Sequence, residues 1–322
     1  EKGSYVYLSV AINIVFQLIS VSLRVIKFRR HWNICYSWSY KRNMNTFVVF
    51  SFLLCGVYSA NILAYSHFPS ISHHNFFQAI ARELSLRGHQ VTFASPNNIS
   101  DPKLINMTAV DMSETYNIFD SINIEIFNRN SLSMFSICSL GHDMLERIVF
   151  KQMEMKQIKD ILKKPEKSYD LIVIEAHNPF YYGLQHKFKA PLIAISSLGL
   201  HSYLHNIIGN QNHPVLYTDM YCSYTVPLKN IWEKFDSLYV NMVFYLHSIF
   251  YAMPRFDEIA RTYFGKDMPY LEDIVKEASV NFVNVNPILS DRRAFVPNYK
   301  EVWNIHMKLP PSLPEVSIGL IN

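Results

Sequence analysis

The sequence contains none of the short signatures that assign a chemistry on their own. There is no GxGxxG, GxxxxGK[ST], GxSxG or HExxH among its 322 residues, and only 9 of those residues are glycine. These absences remove the simple motif arguments for nicotinamide binding, P-loop hydrolysis, serine hydrolysis and zincin chemistry. Any chemistry must therefore be sought among histidines and carboxylates.

Cysteine is scarce as well. The four cysteines, Cys35, Cys55, Cys138 and Cys222, form no CxxC pair and are widely spaced. This spacing excludes a zinc finger and a disulfide-dense small scaffold. Cys138 and Cys222 remain candidates for a disulfide in an oxidising compartment, but their spacing does not decide whether they pair.

A strong charge of either sign is also missing. The formal net charge is +4, and the basic residues are scattered apart from a short cluster at residues 27–30. We therefore expect no nucleic-acid partner. Hydrophobic residues make up 49% of the chain, which is enough for one large domain or two ordinary domains with real cores.

The N-terminal part of the chain differs in character from the remainder. No methionine precedes Met44, and residues 46–60 (TFVVFSFLLCGVYSA) have the length of a signal-peptide hydrophobic region and end in small residues. We interpret residues 1–43 as an upstream extension that is not native to the mature protein. Residues 44–60 are then a signal peptide, cleaved after its last or second-last residue.

A membrane-spanning helix over residues 5–23 is the alternative, because this stretch is uncharged and is followed by basic residues. Either interpretation places the chain after residue 60 in the secretory pathway, and we expect the endoplasmic reticulum lumen. The tripeptides that begin at Asn98 and Asn106 are glycosylation acceptors that agree with this address.

From residue 61 onward, short apolar runs alternate with amphipathic segments. This pattern predicts strands and helices in alternation, with strands over residues 62–65, 90–94, 171–175 and 191–197 and helices over residues 76–87 and 180–188. Such alternation predicts an α/β fold, with a Rossmann-like parallel sheet covered by helices on both faces. The aromatic stretch 228–264 predicts a helical segment that lines a core or an apolar pocket.

Two polar groups are expected to meet at one edge of this sheet. The loop of residues 66–75 follows the first strand, and Glu175 ends a later strand. Because ligands gather beyond the carboxyl ends of parallel strands, we expect the loop and Glu175 to converge there. His73 in this loop precedes a helix whose dipole favours a neutral imidazole, so it is a candidate general base that Glu175 would orient.

The other histidines carry weaker signals. His67, His74 and His89 are expected to be solvated or hydrogen-bonded bystanders. His201 and His205 have the i, i+4 spacing of metal ligands on a helix, but their surroundings predict a loop and no third ligand is evident. We therefore assign no metal site.

Four segments in order resemble the N-terminal half of the animal UDP-glycosyltransferases, and the insect-type members most of all. They are Ser72-His73 followed by LRGHQVTFASP (86–96), YDLIVIE (169–175) followed by APLIAISS (190–197), DEIARTYFG (257–265) and FVNVNPILSDRRAFVPNYKEV (282–302). The resemblance extends over residues 61–309, and its strength lies in the order of the four segments.

This resemblance implies a two-domain GT-B architecture in which residues 61–309 form the acceptor-binding, Rossmann-like domain. It implies inverting transfer of a hexosyl or glucuronosyl group to a hydroxyl of a small lipophilic acceptor, with a UDP-sugar as co-substrate and no cofactor. The family's base lies sixteen residues before the histidine of its RGH motif, and counting back from His89 gives His73. Glu175 matches the family's strand-end carboxylate, which is an aspartate in many members.

The end of the chain departs from the family pattern. Residues 303–306 (WNIH) replace a glycine-containing link, and the proline-rich residues 310–322 predict a linker stub. We expect the donor-binding domain and the C-terminal membrane anchor to be absent, which would leave this chain inactive alone. The alternative is a non-catalytic isoform that binds lipophiles or forms homodimers or heterodimers with full-length relatives.

Overall fold

The computed structural model describes residues 59–97, 99–121, 132–222, 228–286, 288 and 293–307. The strands are β1 (Asn61–Tyr65), β2 (Gln90–Ser95), β3 (Met107–Asp111), β4 (Leu171–Glu175), β5 (Leu192–Ser196), β6 (Val280–Val283) and β7 (Tyr299–Glu301). The α-helices are α1 (Ile71–Leu86), α2 (Met134–Glu154), α3 (Lys156–Leu162), α4 (Gly183–Phe188), α5 (Ser202–Ile207), α6 (Ile231–His247), α7 (Met253–Phe264) and α8 (Leu271–Lys276). Two 3-10 helices (Ser113–Ser121 and Pro179–Tyr182) and a π-helical turn (Ser248–Ala252) complete the elements.

Within the described ranges, seven parallel strands form one sheet in the order β3-β2-β1-β4-β5-β6-β7. The chain moves outward from β1 to β2 and β3, then returns to place β4 on the other side of β1. The strand order therefore reverses between β1 and β4, where Tyr65 lies opposite Ile174. Open α/β sheets bind their ligands at such a reversal.

Both faces of the sheet are buried, because successive residues of a strand point to opposite faces and both sets are apolar. Ile62 and Ala64 of β1 pack with helix α1 on one face. Leu63 and Tyr65 pack on the other face, in a core that includes residues of α2, α4 and α7. This two-sided core confirms the predicted α/β fold with helices on both faces.

Helix α1 begins earlier than the sequence pattern predicts. It starts at Ile71 rather than at residue 76, so His73 and His74 lie in its first turns and not in a loop. Helix α1 ends at Leu86, and Gly88, with a φ of 89°, adopts the left-handed conformation that suits a helix end. The early start was missed because apolar periodicity begins only after the polar residues 72–75.

Two other predicted helices have internal breaks. Residues 180–188 do not form a single helix, because the 3-10 helix Pro179–Tyr182 precedes α4. Residues 228–264 are helical for most of their length, but the π-helical turn separates α6 from α7. Pro254 lies at the start of α7. Because proline has no N–H to donate and its ring crowds the preceding turn, it accounts for the wider π turn just before it.

Ala60 belongs to the folded domain. It is 1% exposed, its carbonyl accepts from the Gln90 N–H at 2.9 Å, and its N–H donates to His89 Nδ1 at 3.3 Å. A signal-peptide cleavage after Ser59 would keep these contacts, whereas a cleavage one residue later would remove them.

Several expectations concern residues outside the described ranges. They are the upstream extension 1–43, the signal peptide up to residue 58, the alternative helix 5–23, the acceptor Asn98 and the linker stub 310–322. Of the helices that the structure does describe, none is both long enough and apolar enough to span a bilayer.

Candidate active site

The reversal of strand order brings His73 and Glu175 together. Residues 66–70 lead from β1 into α1, and Glu175 is the last residue of the adjacent strand β4. His73 Nδ1 contacts Glu175 Oε1, and the backbone N–H of Phe68 donates to Glu175 Oε2 at 3.2 Å. Two side chains that lie 102 positions apart in the sequence thus form a pair at the carboxyl edge of the sheet.

This pairing determines which nitrogen of His73 carries the proton. A carboxylate only accepts hydrogen bonds, so contact with Glu175 places the proton on Nδ1 and leaves the lone pair on Nε2. The His73 side chain is 14% exposed, and the ring of Phe68 stacks on it with centroids 4.7 Å apart. The Nε2 atom can therefore accept a proton from a group bound beside it.

Glu175 is held as a carboxylate although it is buried. Burial by itself would raise the pKa of Glu175, but the neighbouring His67 and His73 outweigh burial and hold this pKa below its ordinary value. Burial lowers the pKa of His67 to about 4, so His67 is neutral at pH 7 and the hydrogen bond from His73 is the contact that remains. An ionised carboxylate in this position orients the imidazole and stabilises its protonated form.

His67 and His74 flank the pair without joining it. The His67 ring is fully buried and stacks on Tyr181 with centroids 4.6 Å apart, and its Nδ1 lies 3.6 Å from Glu175 Oε2, too far for a hydrogen bond. His74 turns to the other side of α1, where its Nδ1 lies 2.9 Å from Ser95 Oγ.

A buried amide supports the loop that carries Phe68. The side-chain oxygen of Gln152, on α2, accepts from the hydroxyls of Tyr65 at 3.0 Å and Tyr181 at 2.6 Å. Its nitrogen donates to the backbone oxygen of His67 at 2.7 Å and to Thr115 Oγ1 at 3.2 Å. The amide is fully satisfied and joins β1, α2 and the loop before α1.

Replacing Gln152 with leucine is expected to lower the free energy of unfolding by about 3 kcal/mol, because two phenol hydroxyls lose their buried acceptor. Chemical denaturation measures this change. Gln157→Leu is the matched control, because Gln157 is a half-exposed residue of α3 that donates to the Asp111 carbonyl at the surface. An equal loss of stability in the two variants would contradict the role of the buried network.

A cavity of about 630 Å³ opens beside the His73–Glu175 pair. Its walls are mainly apolar, and α6, the π turn and α7 contribute Phe244 and Phe256 among others. This confirms that the stretch predicted over residues 228–264 is helical and lines an apolar pocket. Among the described residues around the cavity, Glu175 is the only acid and no lysine or arginine occurs. The cavity therefore suits an uncharged, lipophilic molecule.

Four further histidines line the cavity, His142, His177, His201 and His247, and only His201 stands out in the sequence. Burial lowers the pKa of His177 to about 3, and burial also lowers the pKa values of His142 and His247. The position of His177, two residues after a strand-end carboxylate, was a signal that could have found it. No local pattern separates a helix histidine that lines a cavity from one in a core.

The structure separates His201 from His205. His205 lies in α5, which begins at Ser202 and corrects the predicted loop, whereas His201 is the residue just before this helix. His201 lines the cavity, whereas the Nδ1 of His205 lies 3.0 Å from the Nδ2 of Asn210. In the part of the chain that the structure covers, no group of three or more His, Cys, Asp and Glu side chains is arranged to hold a metal ion.

Two sequence candidates lie away from the pair. Cys138 and Cys222 are thiols in the structure rather than a disulfide, and burial raises the pKa of Cys138 to about 12. The glycosylation candidate Asn106 lies just before β3, half-buried, with its Nδ2 donating to the Ser85 carbonyl at 3.4 Å.

The buried histidines make stability depend on pH. The pKa of His67 is about 4 in the folded chain and 6.5 when unperturbed, so the unfolded chain binds a proton first. His67 therefore stabilises the fold above pH 6.5, and this contribution falls by about 2 kcal/mol between pH 7 and pH 5. Urea denaturation measures the free energy of unfolding at both pH values. Between pH 7 and pH 5 this free energy should fall by about 2 kcal/mol less in His67→Phe, which keeps the stacking on Tyr181, than in the wild type. An unchanged pH dependence in that variant would contradict the prediction.

Several proteins of assigned function are similar to this chain, although no protein-family model matches it. UDP-glycosyltransferase UGT5 of Dactylopius coccus is 26% identical over 284 residues, which cover 86% of this chain and 53% of the relative. UDP-glucosyltransferase 2 of the same organism is 27% identical, with 83% and 51% covered. Ecdysteroid UDP-glucosyltransferase of Lymantria dispar multicapsid nuclear polyhedrosis virus is 26% identical, with 77% and 50% covered. The chain thus spans about half the length of these relatives.

Two solved structures also align with the chain. Arabidopsis thaliana UGT89C1 complexed with UDP-L-rhamnose has 14% identity and a TM-score of 0.30, with 82% of this chain and 54% of that chain covered. TcCGT1 in complex with UDP has 12% identity and a TM-score of 0.31, with 72% and 45% covered.

Proposed function

We propose that this chain, which is similar to UDP-glycosyltransferases at 26–27% identity, forms the acceptor-binding part of an inverting transferase. The acceptor is a small lipophilic molecule with a hydroxyl group, and the donor is a UDP-hexose or UDP-glucuronate. The observation that carries the proposal is the contact of His73 with Glu175 at the wall of an apolar cavity of about 630 Å³.

In the proposed reaction, His73 is the general base. Its Nε2 removes the proton of the acceptor hydroxyl while the hydroxyl oxygen attacks the anomeric carbon of the sugar. The new carbon–oxygen bond forms on the face opposite the bond to UDP. That bond breaks, UDP leaves with the electron pair, and the configuration inverts. Glu175 stabilises the imidazolium until the proton passes to solvent.

The cavity also bears on the class of acceptor. With Glu175 as the only acidic residue at its described wall, and with that residue paired to His73, the cavity offers no fixed charge to a charged ligand. An apolar ligand gains from the aromatic lining, and its hydroxyl gains from the base. We further propose that the protein acts in the endoplasmic reticulum lumen, reached through the signal peptide, with glycans at Asn98 and Asn106.

The first test is to sequence the natural transcript upstream of codon 44 and across codon 315, and to assay the complete gene product. With UDP-glucose or UDP-glucuronate and a panel of hydroxylated lipophiles, the protein should release UDP and form a glycoside of inverted configuration. Folded protein that releases no UDP above the acceptor-free rate with either donor would contradict the proposal.

A second candidate is a non-catalytic lipophile-binding protein, which the same apolar cavity favours. The two functions differ in one measurement. A binding protein would take up a fluorescent lipophile with equal affinity in the wild type and in His73→Gln, and neither protein would consume UDP-sugar.

A further inference from the structure

Helix α6 and the π turn after it present an apolar face to solvent. Ten large apolar side chains between residues 231 and 251 are 40–77% exposed, among them Trp232, Phe235, Tyr239, Met242, Leu246 and Phe250. These six recur at intervals of three or four residues, so they share one face of the helix. The stretch 237–252 contains no Asp, Glu, Lys or Arg.

The inward side of α6 is more polar than that of an ordinary surface helix, although Val240 is buried there as well. Its buried face carries the polar residues Ser237, Asn241 and His247, each less than 9% exposed. Ser237 donates to the Pro214 carbonyl, and Asn241 Nδ2 donates to the Ser237 carbonyl at 2.9 Å. A surface helix normally buries its apolar stripe and exposes its polar one. Ser237 and Asn241 on the inward side thus make hydrogen bonds beside the buried Val240, while the exposed side chains of α6 after residue 236 are apolar or aromatic.

This face is large for a protein surface in water. Six of the ten exposed residues are aromatic. These six side chains alone leave on the order of 600 Å² exposed, if each ring presents about 150–250 Å² when fully accessible; they are Trp232, Phe235, Tyr239, Tyr245, Phe250 and Tyr251. A typical monomer's largest apolar patch reaches only about 300–600 Å² and often marks an interaction site. The outward face of α6 therefore requires a partner of apolar chemistry.

We propose that this partner is a lipid bilayer, with α6 lying in the membrane interface and its axis parallel to the membrane plane. Tryptophan and tyrosine combine an apolar ring with a polar tip, which suits the boundary between headgroups and acyl chains. The charged residues at the start of the helix, Lys229, Glu233, Lys234 and Asp236, cancel in net charge. Binding is therefore driven by apolar burial and needs no anionic lipid.

A second copy of the chain fits this face less well than a bilayer does. The helical stretch from residue 231 to residue 251 is about 31 Å long and about 10 Å wide. Two such faces packed together bury at most about 1,200 Å² in total, and only if all of their exposed aromatic surface is covered, which is the lower limit for a stable specific interface. A bilayer imposes no such geometric limit, because lipid covers every exposed side chain of the stripe.

The inner side of the same segment lines the cavity through Phe244, His247 and Ser248. One element thus separates the proposed membrane surface from the apolar cavity, and a lipophile dissolved in the bilayer has a short path between them. The membrane surface does not depend on sugar transfer, because it rests on exposure and polarity alone.

Flotation of the full chain with neutral phosphatidylcholine vesicles tests the proposal. The wild-type protein should float with the vesicles, equally well with and without added phosphatidylserine. The triple variant W232S/F235S/F250S should partition at least about tenfold less, because it loses the largest exposed apolar groups. The control L86S/I105S/M307S replaces three exposed apolar residues elsewhere and should float like the wild type. All variants keep the rest of the chain, so their difference reports the helix face.

The same samples show how deeply α6 enters the bilayer and whether another partner covers its exposed face. Vesicles with brominated acyl chains should quench the tryptophan fluorescence of the wild type. The Trp232→Phe variant should lose this quenching, because the fluorophore in contact with the acyl chains is gone. Flotation of the triple variant at the wild-type level, or a wild-type protein that stays in the bottom fraction, overturns the proposal. So does a wild-type dimer in solution that the triple variant converts to monomer without vesicles, because a second copy would then cover the face.

Discussion

Replacing His73 with glutamine in the complete gene product is expected to lower kcat for glycoside formation by about 10³-fold. Glutamine can still donate to Glu175, so the wall of the cavity keeps its shape. It has no nitrogen that accepts a proton near neutral pH, so the acceptor hydroxyl must attack without a base. The KM for the acceptor should change little, because the apolar lining that binds it is untouched. Initial rates of UDP release measure both constants.

His74→Gln is the matched control for this prediction. His74 is the neighbouring histidine in α1, but its side chain bonds Ser95 and does not line the cavity. We expect this variant to lose some stability and to keep kcat near the wild-type value per folded molecule. A larger loss of kcat in His74→Gln than in His73→Gln would show that His73 is not the base.

Replacing Glu175 with glutamine is expected to lower kcat by about 10²- to 10⁴-fold while leaving the cavity intact. The amide of glutamine can donate to His73 Nδ1, which would move the imidazole proton to Nε2 and block the base. The substitution also removes the negative charge that stabilises the imidazolium. Nitrogen-15 NMR of the histidines should show the change of tautomer directly, which a merely structural defect would not produce.

Glu175→Asp separates the need for charge from the need for reach. Aspartate keeps the carboxylate but shortens the side chain by one methylene, so the contact with His73 lengthens. We expect this variant to retain the wild-type tautomer and to keep more activity than Glu175→Gln. Equal activity in the two variants would mean that the charge of Glu175 does not act on His73.

The sheet could be predicted from the sequence because parallel strands that are buried on both faces read as unbroken apolar runs. The run at residues 171–175 was assigned its observed bounds, and its final carboxylate stood out against four apolar neighbours. The edge rule for open sheets then placed Glu175 near the segment after β1 without any knowledge of long-range contacts. The sequence order of two strands was enough to predict where the pair would meet.

Other features required three-dimensional information. The start of α1 was missed because its first turn is polar and therefore resembles a loop. The role of Gln152 depends on four partners that lie in three separate parts of the sequence. The exposure of the apolar stripe of α6 could not be recognised either, since a periodic apolar stripe is ordinarily taken as the buried side. Which side of a helix faces the core is decided by its neighbours.

The separation of His73 and Glu175 along the chain also has a kinetic consequence. Their contact spans 102 positions and forms only when β4 docks beside β1, on the side opposite β2 and β3. Closing a loop of this length costs entropy before any contact repays it, so non-local pairing of this kind slows folding. At about 5–20 residues per second, a ribosome needs on the order of 10 s to synthesise the intervening segment. A nascent chain therefore carries His73 for many seconds before its carboxylate partner exists, and a chain in which β4 has not yet docked would hold His73 without the carboxylate that contacts it.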